Sequence, residues 1–199
     1  MKFELPTPSL VVLVGPSGCG KSTFAAKHFR PTEVVSSDVC RGLVSDDENA
    51  QDISKHAFEL LHTIVSKRLE LGRVAVVDAT NVQREDRRSL LQLAREHDLF
   101  AVAVVFNLPK QLCQDRNRNR PDRDFGPHVV SAHHRAMRQS LRGLRREGFR
   151  HVLTLRSPDE VDAVAVARGR LWTDRREAPD THPRCGREFP ECREKLLYL

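Results

Sequence analysis

A chain of 199 residues, 39% hydrophobic and 30% charged, is the size of one ordinary domain and carries enough apolar matter for a core, which excludes wholesale disorder. Lys and Arg number 33 against 27 Asp and Glu, a formal charge of +6, and between Lys110 and Arg150 there are eleven cations to four acids, so one region is basic and the rest near neutral. Five cysteines without paired spacing argue against a disulfide scaffold. No apolar run reaches the length of a signal-peptide core or a membrane span, so a cytoplasmic protein is expected.

Five short runs rich in Val and Leu occur in order: Leu10–Val14, Glu33–Ser36, Arg73–Asp78, Phe100–Phe106 and His151–Leu155. Most do not alternate with polar residues, the pattern of strands buried on both faces of a parallel sheet. A helix from Lys21 to Phe29 follows the first run, and Ser37 is the expected cap of a short helical turn after the second. Ile53, Ala57, Leu60, Leu61, Ile64, Val65 and Leu69 make a helical stripe ended by Gly72, and Leu90 to Ala94 mark another helix after the third run. After the fourth run a helix is expected from about Pro109, with Pro121 ending it, and then one helix carrying Val130, Met137, Leu141 and Leu144 up to Gly148. Ser157-Pro158-Asp159-Glu160 is a helix start, with an N-cap serine, proline at the first position and a capping-box glutamate. Strands alternating with helices predict a doubly wound α/β sheet of about five strands over residues 1–171, with 172–199 a linker or tail.

Gly15-Pro16-Ser17-Gly18-Cys19-Gly20-Lys21-Ser22 is a complete P-loop between a buried strand and a helix. Its glycines let successive N–H groups turn inward onto phosphate oxygens at the positive end of a helix. Gly15, Ser17, Gly18, Cys19, Gly20, Lys21, Ser22 and Thr23 are therefore the expected ATP-binding residues. Lys21 supplies charge to the β- and γ-phosphates, and the Ser22 hydroxyl is a ligand for Mg2+. Asp78 closes the third strand, where an acid can orient Mg2+ or, alternatively, cap the segment that follows. Thr80 and Asn81 come next, at the mouth of the sheet where ligands of such folds bind.

Asp38 and Arg41 lie three apart after the second strand, on one face of a helical turn. Phosphoryl transfer to a hydroxyl needs a carboxylate to take the acceptor's proton and a cation to hold a nearby phosphate, although many such pairs are only surface salt bridges. Arg116, Arg118, Arg120 and Arg123 cluster after the fourth strand. Arg116 and Arg120, one turn apart, can clamp a triphosphate from a helical lid, whereas Arg118 reads as a solvated position.

From about Leu10 to Arg170 the chain resembles the kinase module of bacterial polynucleotide kinase-phosphatase, the RNA end-healing enzyme. The likeness is carried by the P-loop with Thr23 and Phe24, by Pro31 to Asn49 with its Ser-Ser-Asp-x-x-Arg, by Val77 to Val82 and by Ala103 to Pro109. The resemblance implies a P-loop kinase fold with strand order 2-3-1-4-5 and an arginine-rich helical lid. It also implies transfer of the γ-phosphate of ATP to a 5′-hydroxyl of RNA or DNA. By the same resemblance Asp38 is the general base, Arg41 orients the acceptor, and Arg116 meets the ATP phosphates with Arg120 and Arg123 beside it. Gln51, Thr80 and Asn81 would contact the strand. Repair modules (phosphatase, ligase, RNA end-methyltransferase) are the implied partners. Asp180-Thr181-His182 is the kind of Asp-x-His that opens the family's phosphatase, but Pro183 stands where glycine is expected, so no phosphatase is expected here. A small-molecule P-loop kinase and an ATP-dependent switch without catalysis are the competing readings. The basic stretch counts against the first and Asp38 against the second.

Overall fold

The computed structural model describes residues 1–119 and 126–169, which form one compact unit, Met1–Gly169. The elements in order are β1 (Lys2–Pro6), β2 (Ser9–Val14), α1 (Lys21–His28), β3 (Val34–Ser36), α2 (Ser37–Ser45), α3 (Ser54–Glu70), β4 (Ala75–Asp78) and α4 (Arg84–Glu96). They continue with β5 (Phe100–Phe106), α5 (Lys110–Arg118), α6 (Pro127–Ser140), α7 (Leu144–Glu147), β6 (His151–Leu155), α8 (Pro158–Ala163) and β7 (Ala165–Gly169). No helix among the described residues is long and apolar enough to cross a membrane.

The five apolar runs build one parallel sheet in the order β3-β4-β2-β5-β6, the 2-3-1-4-5 arrangement that the resemblance implies. Successive side chains of a strand point to opposite faces. Leu10, Val12 and Val14 of β2 and Ala101, Ala103 and Val105 of β5 therefore pack with α3, α4, Met137 and Leu144. Val11, Leu13, Val102, Val104 and Phe106 pack on the other face with Phe24 and Ala25 of α1 and Cys113 of α5. Helices on both faces explain why the runs do not alternate with polar residues.

Two features depart from the sequence expectations. Lys2–Pro6 and Ala165–Gly169 pair in parallel as a second, two-stranded sheet, with Lys2 opposite Ala165 and Pro6 opposite Gly169. Phe3 and Leu5 alternate with Lys2 and Glu4, but four residues before a proline give too short a pattern to register as a strand. A half-buried ion pair fastens this ribbon, Arg168 donating to both oxygens of Glu33 at 2.7 and 2.5 Å, and that contact holds the Glu33 carboxyl below its ordinary range. The helix expected to reach Gly148 is broken: α6 ends at Ser140, the Gly143 N–H returns to the Ser140 carbonyl, and α7 begins at Leu144. Met137 and Leu144 nevertheless bury into the same core, so the apolar stripe runs on through a turn.

Candidate active site

β2 ends at Val14, β3 at Ser36 and β4 at Asp78, and these three strands are neighbours, so their carboxyl ends share one mouth of the sheet. Each of them leads into a segment with candidate chemistry.

The P-loop is held from two sides. The Gly15 N–H donates to the Thr80 carbonyl at 2.9 Å, and the Asn81 side-chain amide donates to the Leu13 carbonyl at 2.7 Å. Asn81 is 1% exposed with a positive φ of 48°, so its amide ties the P-loop strand to the end of β4 from inside, while Thr80 is half-buried. Gly18 and Gly20 take φ of 78° and 93°, values that side-chain-bearing residues rarely adopt. A Cβ on Gly18 would stand 2.2 Å from the Cys113 carbonyl oxygen, because α5 packs directly on the loop. Gly20 caps α1 in the left-handed region with no side-chain cap bond, and Ser22 and Thr23 in the first helical turn are exposed. A helix opening with uncapped N–H groups beside a glycine cradle fits a chain of phosphates.

Lys21 is 8% exposed, and its ammonium donates to the carbonyls of Gly15 at 3.0 Å and Pro16 at 2.9 Å, with the Cys19 sulfur at 3.7 Å. It is folded onto its own loop. Cys19 and Cys113 are buried at its back, and burial pushes both thiols up, Cys113 to about 12. Neither is a thiolate near neutrality, and both read as packing residues. Ser17 and Asp78 are buried at the same mouth, at 9% and 6% exposure.

Asp38 and Arg41 sit in α2 and form an ion pair through Arg41 Nη1. The helix is capped by Ser36 rather than Ser37: the Ser36 Oγ accepts from the N–H groups of Asp38 and Val39, and Ser37 is buried. Arg41 also donates through Nη1 to the Glu48 carbonyl at 3.4 Å and through Nε to the Ser54 hydroxyl at 3.5 Å. Ser54 in turn donates to the carbonyl of Gln51, whose exposed side-chain amide bonds only locally, to Asn49. The stretch from Glu48 to Ser54 is thus the brace behind the Asp38–Arg41 pair. These bonds of Arg41 run through Nε and Nη1 and not through Nη2.

Arg116 is exposed on α5, and its Nη1 lies 3.7 Å from where a Cβ on Gly20 would be, so its guanidinium rests against the P-loop. Arg118 is exposed and faces Asp115 at 3.8 Å. Arg120 and Arg123 lie outside the described residues, as does the 172–199 segment. Sequence reasoning missed Asn117, which is 3% exposed and presses its backbone and Cβ against Gly18, and His133, which burial and the Lys21 charge hold below its ordinary pKa. Cys113 and Asn117 stand four apart on α5 and mark its buried face, a spacing obscured by the arginines around it.

The Gly18 contact gives a sharp expectation. Gly18→Ala should reduce ATP affinity by at least about tenfold and lower the melting temperature, because the methyl must displace α5 backbone as well as strain φ. Gly72→Ala is the control, with φ 62° and nothing within 4 Å of its Cβ, and should cost only about 1 kcal/mol of strain. Nucleotide titration and thermal melts of both variants check this, and equal effects would put the cause in φ alone.

The chain is 32% identical over 132 residues to 6-phosphofructo-2-kinase/fructose-2,6-bisphosphatase 1 of Rattus norvegicus, covering 55% of this chain and 28% of that protein. It is 26% identical over 160 residues to transcription factor bHLH140 of Arabidopsis thaliana, covering 77% of this chain and 16% of that protein. The chain thus spans less than a third of the length of these relatives. Among solved structures, a chain of the Pnkp1/Rnl/Hen1 RNA repair complex superposes with a TM-score of 0.60 at 20% identity, covering 69% of this chain and 46% of that one, a likeness of fold. The family model described as AAA domain matches residues 10–144, from the P-loop strand to the start of α7, and the chain belongs to that family.

Proposed function

We propose that the chain is an ATP-dependent polynucleotide 5′-hydroxyl kinase acting on the ends of RNA or DNA in the cytoplasm. The observation that carries this reading is the braced Asp38–Arg41 pair on α2: Ser36 at the end of β3 is in register with Asp78 at the end of β4, the one strand between β3 and the P-loop strand β2. A nucleotide switch has no use for a carboxylate held in that place. In the proposed step the 5′-hydroxyl oxygen attacks the γ-phosphorus as Asp38 takes its proton. The bond from the γ-phosphorus to the bridging oxygen breaks, and ADP leaves. Lys21 and Arg116 meet the charge that builds on the transferring oxygens, and Arg41 steers the acceptor. The exposed hydroxyl of Ser22 and the buried carboxylate of Asp78 flank the phosphate cradle and suit Mg2+, which when bound neutralises charge on the β- and γ-phosphates. Repair modules such as a phosphatase, a ligase or an RNA end-methyltransferase are the partners this reading implies.

A second reading is favoured by one observation, the 32% identity to 6-phosphofructo-2-kinase/fructose-2,6-bisphosphatase 1: the acceptor would be a sugar phosphate. Incubation with γ-labelled ATP and, in parallel, a 5′-hydroxyl oligonucleotide and a hexose phosphate separates the two. Label on the oligonucleotide alone is the expected result. Label on the sugar alone would replace the polynucleotide reading, and hydrolysis without transfer would leave a switch.

A further inference from the structure

The basic stretch does not stop at the catalytic mouth. Helix α6 lies across the carboxyl ends of the strands: the His134 ring is 3.2 Å from the Leu108 carbonyl just past β5, and Ser140 donates to the Val82 carbonyl past β4 at 3.2 Å. Helix α7 then descends beside α4. The carboxylate of Glu147 binds Arg87 in the first turn of α4, and its carbonyl accepts from Arg95 in the last turn at 2.9 Å. Glu147 is the only acid between Gly126 and Arg150, and it is spent inward on buried Arg87. Arg135 and Arg138 lie three apart on α6, Arg142 lies in the turn that follows and Arg145 in α7, and all four are exposed. Their outer surface carries positive charge with no acid of its own.

This surface ends in a cleft of about 440 Å³ at the amino end of β5, lined by Arg95, Arg145, Arg150, Phe100, Phe149 and Leu99 among others, with no acid in its wall. Phe100 is 43% exposed, an unusual position for a phenylalanine, and the Arg150 guanidinium lies 5.6 Å from its ring centroid. Gly148 lets Arg95 lie across the cleft, since a Cβ there would be 2.7 Å from the Arg95 Nη2. An exposed ring among three guanidinium groups offers a stacking plane and phosphate donors together, which is what a nucleotide presents.

We infer that this cleft is a distal subsite for the acceptor strand, in which a downstream nucleotide stacks on Phe100 while Arg95, Arg145 and Arg150 hold its phosphates, with the strand reaching it along the arginines of α6 and α7. The inference rests on the polynucleotide reading and extends it. Seven residues of β5 separate the cleft from the P-loop end, about 23 Å of strand rise. At about 3.4 Å per stacked nucleotide, about seven nucleotides bridge it.

The test measures kcat and KM with 5′-hydroxyl oligouridylates of 2 to 15 nucleotides, at low and high salt. For the wild-type chain, KM should fall with length and level off near eight nucleotides, and the advantage of the 15-mer should shrink at high salt by counterion release. Arg145→Ala combined with Arg150→Ala, and separately Phe100→Ala, should raise KM for the 15-mer about tenfold. Both should leave kcat and the dinucleotide KM unchanged. Equal changes for the 2-mer and 15-mer, or none for either, would overturn the proposal. A fluorescein-labelled 15-mer titrated by anisotropy separates this failure from failure of the kinase reading. If no 5′-hydroxyl strand is phosphorylated, weaker 15-mer binding by the variants still supports the cleft, and unchanged binding removes it.

Discussion

Lys21→Ala is expected to reduce phosphate transfer by about a thousandfold or more while the protein still folds. The resting geometry shows what the lysine must do. Its ammonium is satisfied by the carbonyls of Gly15 and Pro16, so ATP binding has to draw it off two of its own loop's oxygens and onto phosphate oxygens. That exchange is favourable only because an anionic phosphate is a stronger partner than a carbonyl. Truncation therefore has two consequences. The loop loses two charge-assisted bonds at the mouth of the sheet, about 1–2 kcal/mol, which for a domain of this size lowers the melting temperature by about 2–8 °C. The transferring phosphoryl group loses its nearest cation, which is the larger effect. Lys21→Arg should not restore the rate, because a guanidinium fork does not fit where a compact ammonium sits between two carbonyls and the buried Cys19 sulfur. Thermal melts with single-turnover transfer of labelled phosphate decide it. A folded variant with more than about a few per cent of the wild-type rate would remove Lys21 from the chemistry.

How much of this was legible in the sequence depends on how local each signal is. The P-loop could be read outright, since its glycines, lysine and serine are contiguous and each has a local reason to be there. Sheet order came from the resemblance, since five uninterrupted apolar runs show a parallel sheet covered on both faces but not which strands are neighbours. The β1–β7 ribbon was invisible for the opposite reason: it joins residues more than 160 positions apart through main-chain pairing, with weak strand formers on one side. The cap of α2 was misplaced by one residue because Ser36 and Ser37 are adjacent and only backbone φ and ψ separate them, with Ser36 still extended at ψ 133°. The pairing of Asp38 with Arg41 was legible from helical spacing. The brace behind it, Arg41 to Ser54 and the Glu48 carbonyl, depends on the turn before α3 folding back, which no periodicity encodes. Asn81 shows the limit most clearly. Its position after Asp78 suggested a ligand contact, but its side chain spans 68 residues to hold the Leu13 carbonyl.

Asp38→Asn should lower kcat by about a hundredfold to ten-thousandfold, with ATP affinity changed little, since a general base acts on the acceptor and not on the nucleotide. Asparagine keeps the size of the side chain and an oxygen for Arg41, so the change isolates the loss of a proton acceptor. Arg41→Ala should act differently. It strips Asp38 of its ion-pair partner and removes the links to Ser54 and Glu48, so both the position of the carboxylate and the hold on the acceptor suffer, and KM for the acceptor should rise as kcat falls. Arg41→Lys is the discriminating variant. One ammonium can pair with Asp38, but it cannot also reach the Ser54 hydroxyl through a second nitrogen and present a third toward an incoming phosphate. If Arg41 serves only to hold Asp38, the lysine variant should recover most of kcat with a normal acceptor KM. If Arg41 also receives the acceptor through Nη2, kcat should recover in part while KM stays raised by about tenfold, the loss of one charge-assisted contact. The second pattern is the expected one. ATP affinity measured separately by titration guards the assignment, because a collapse of nucleotide binding in Asp38→Asn would move that carboxylate out of the acceptor site and into the nucleotide site.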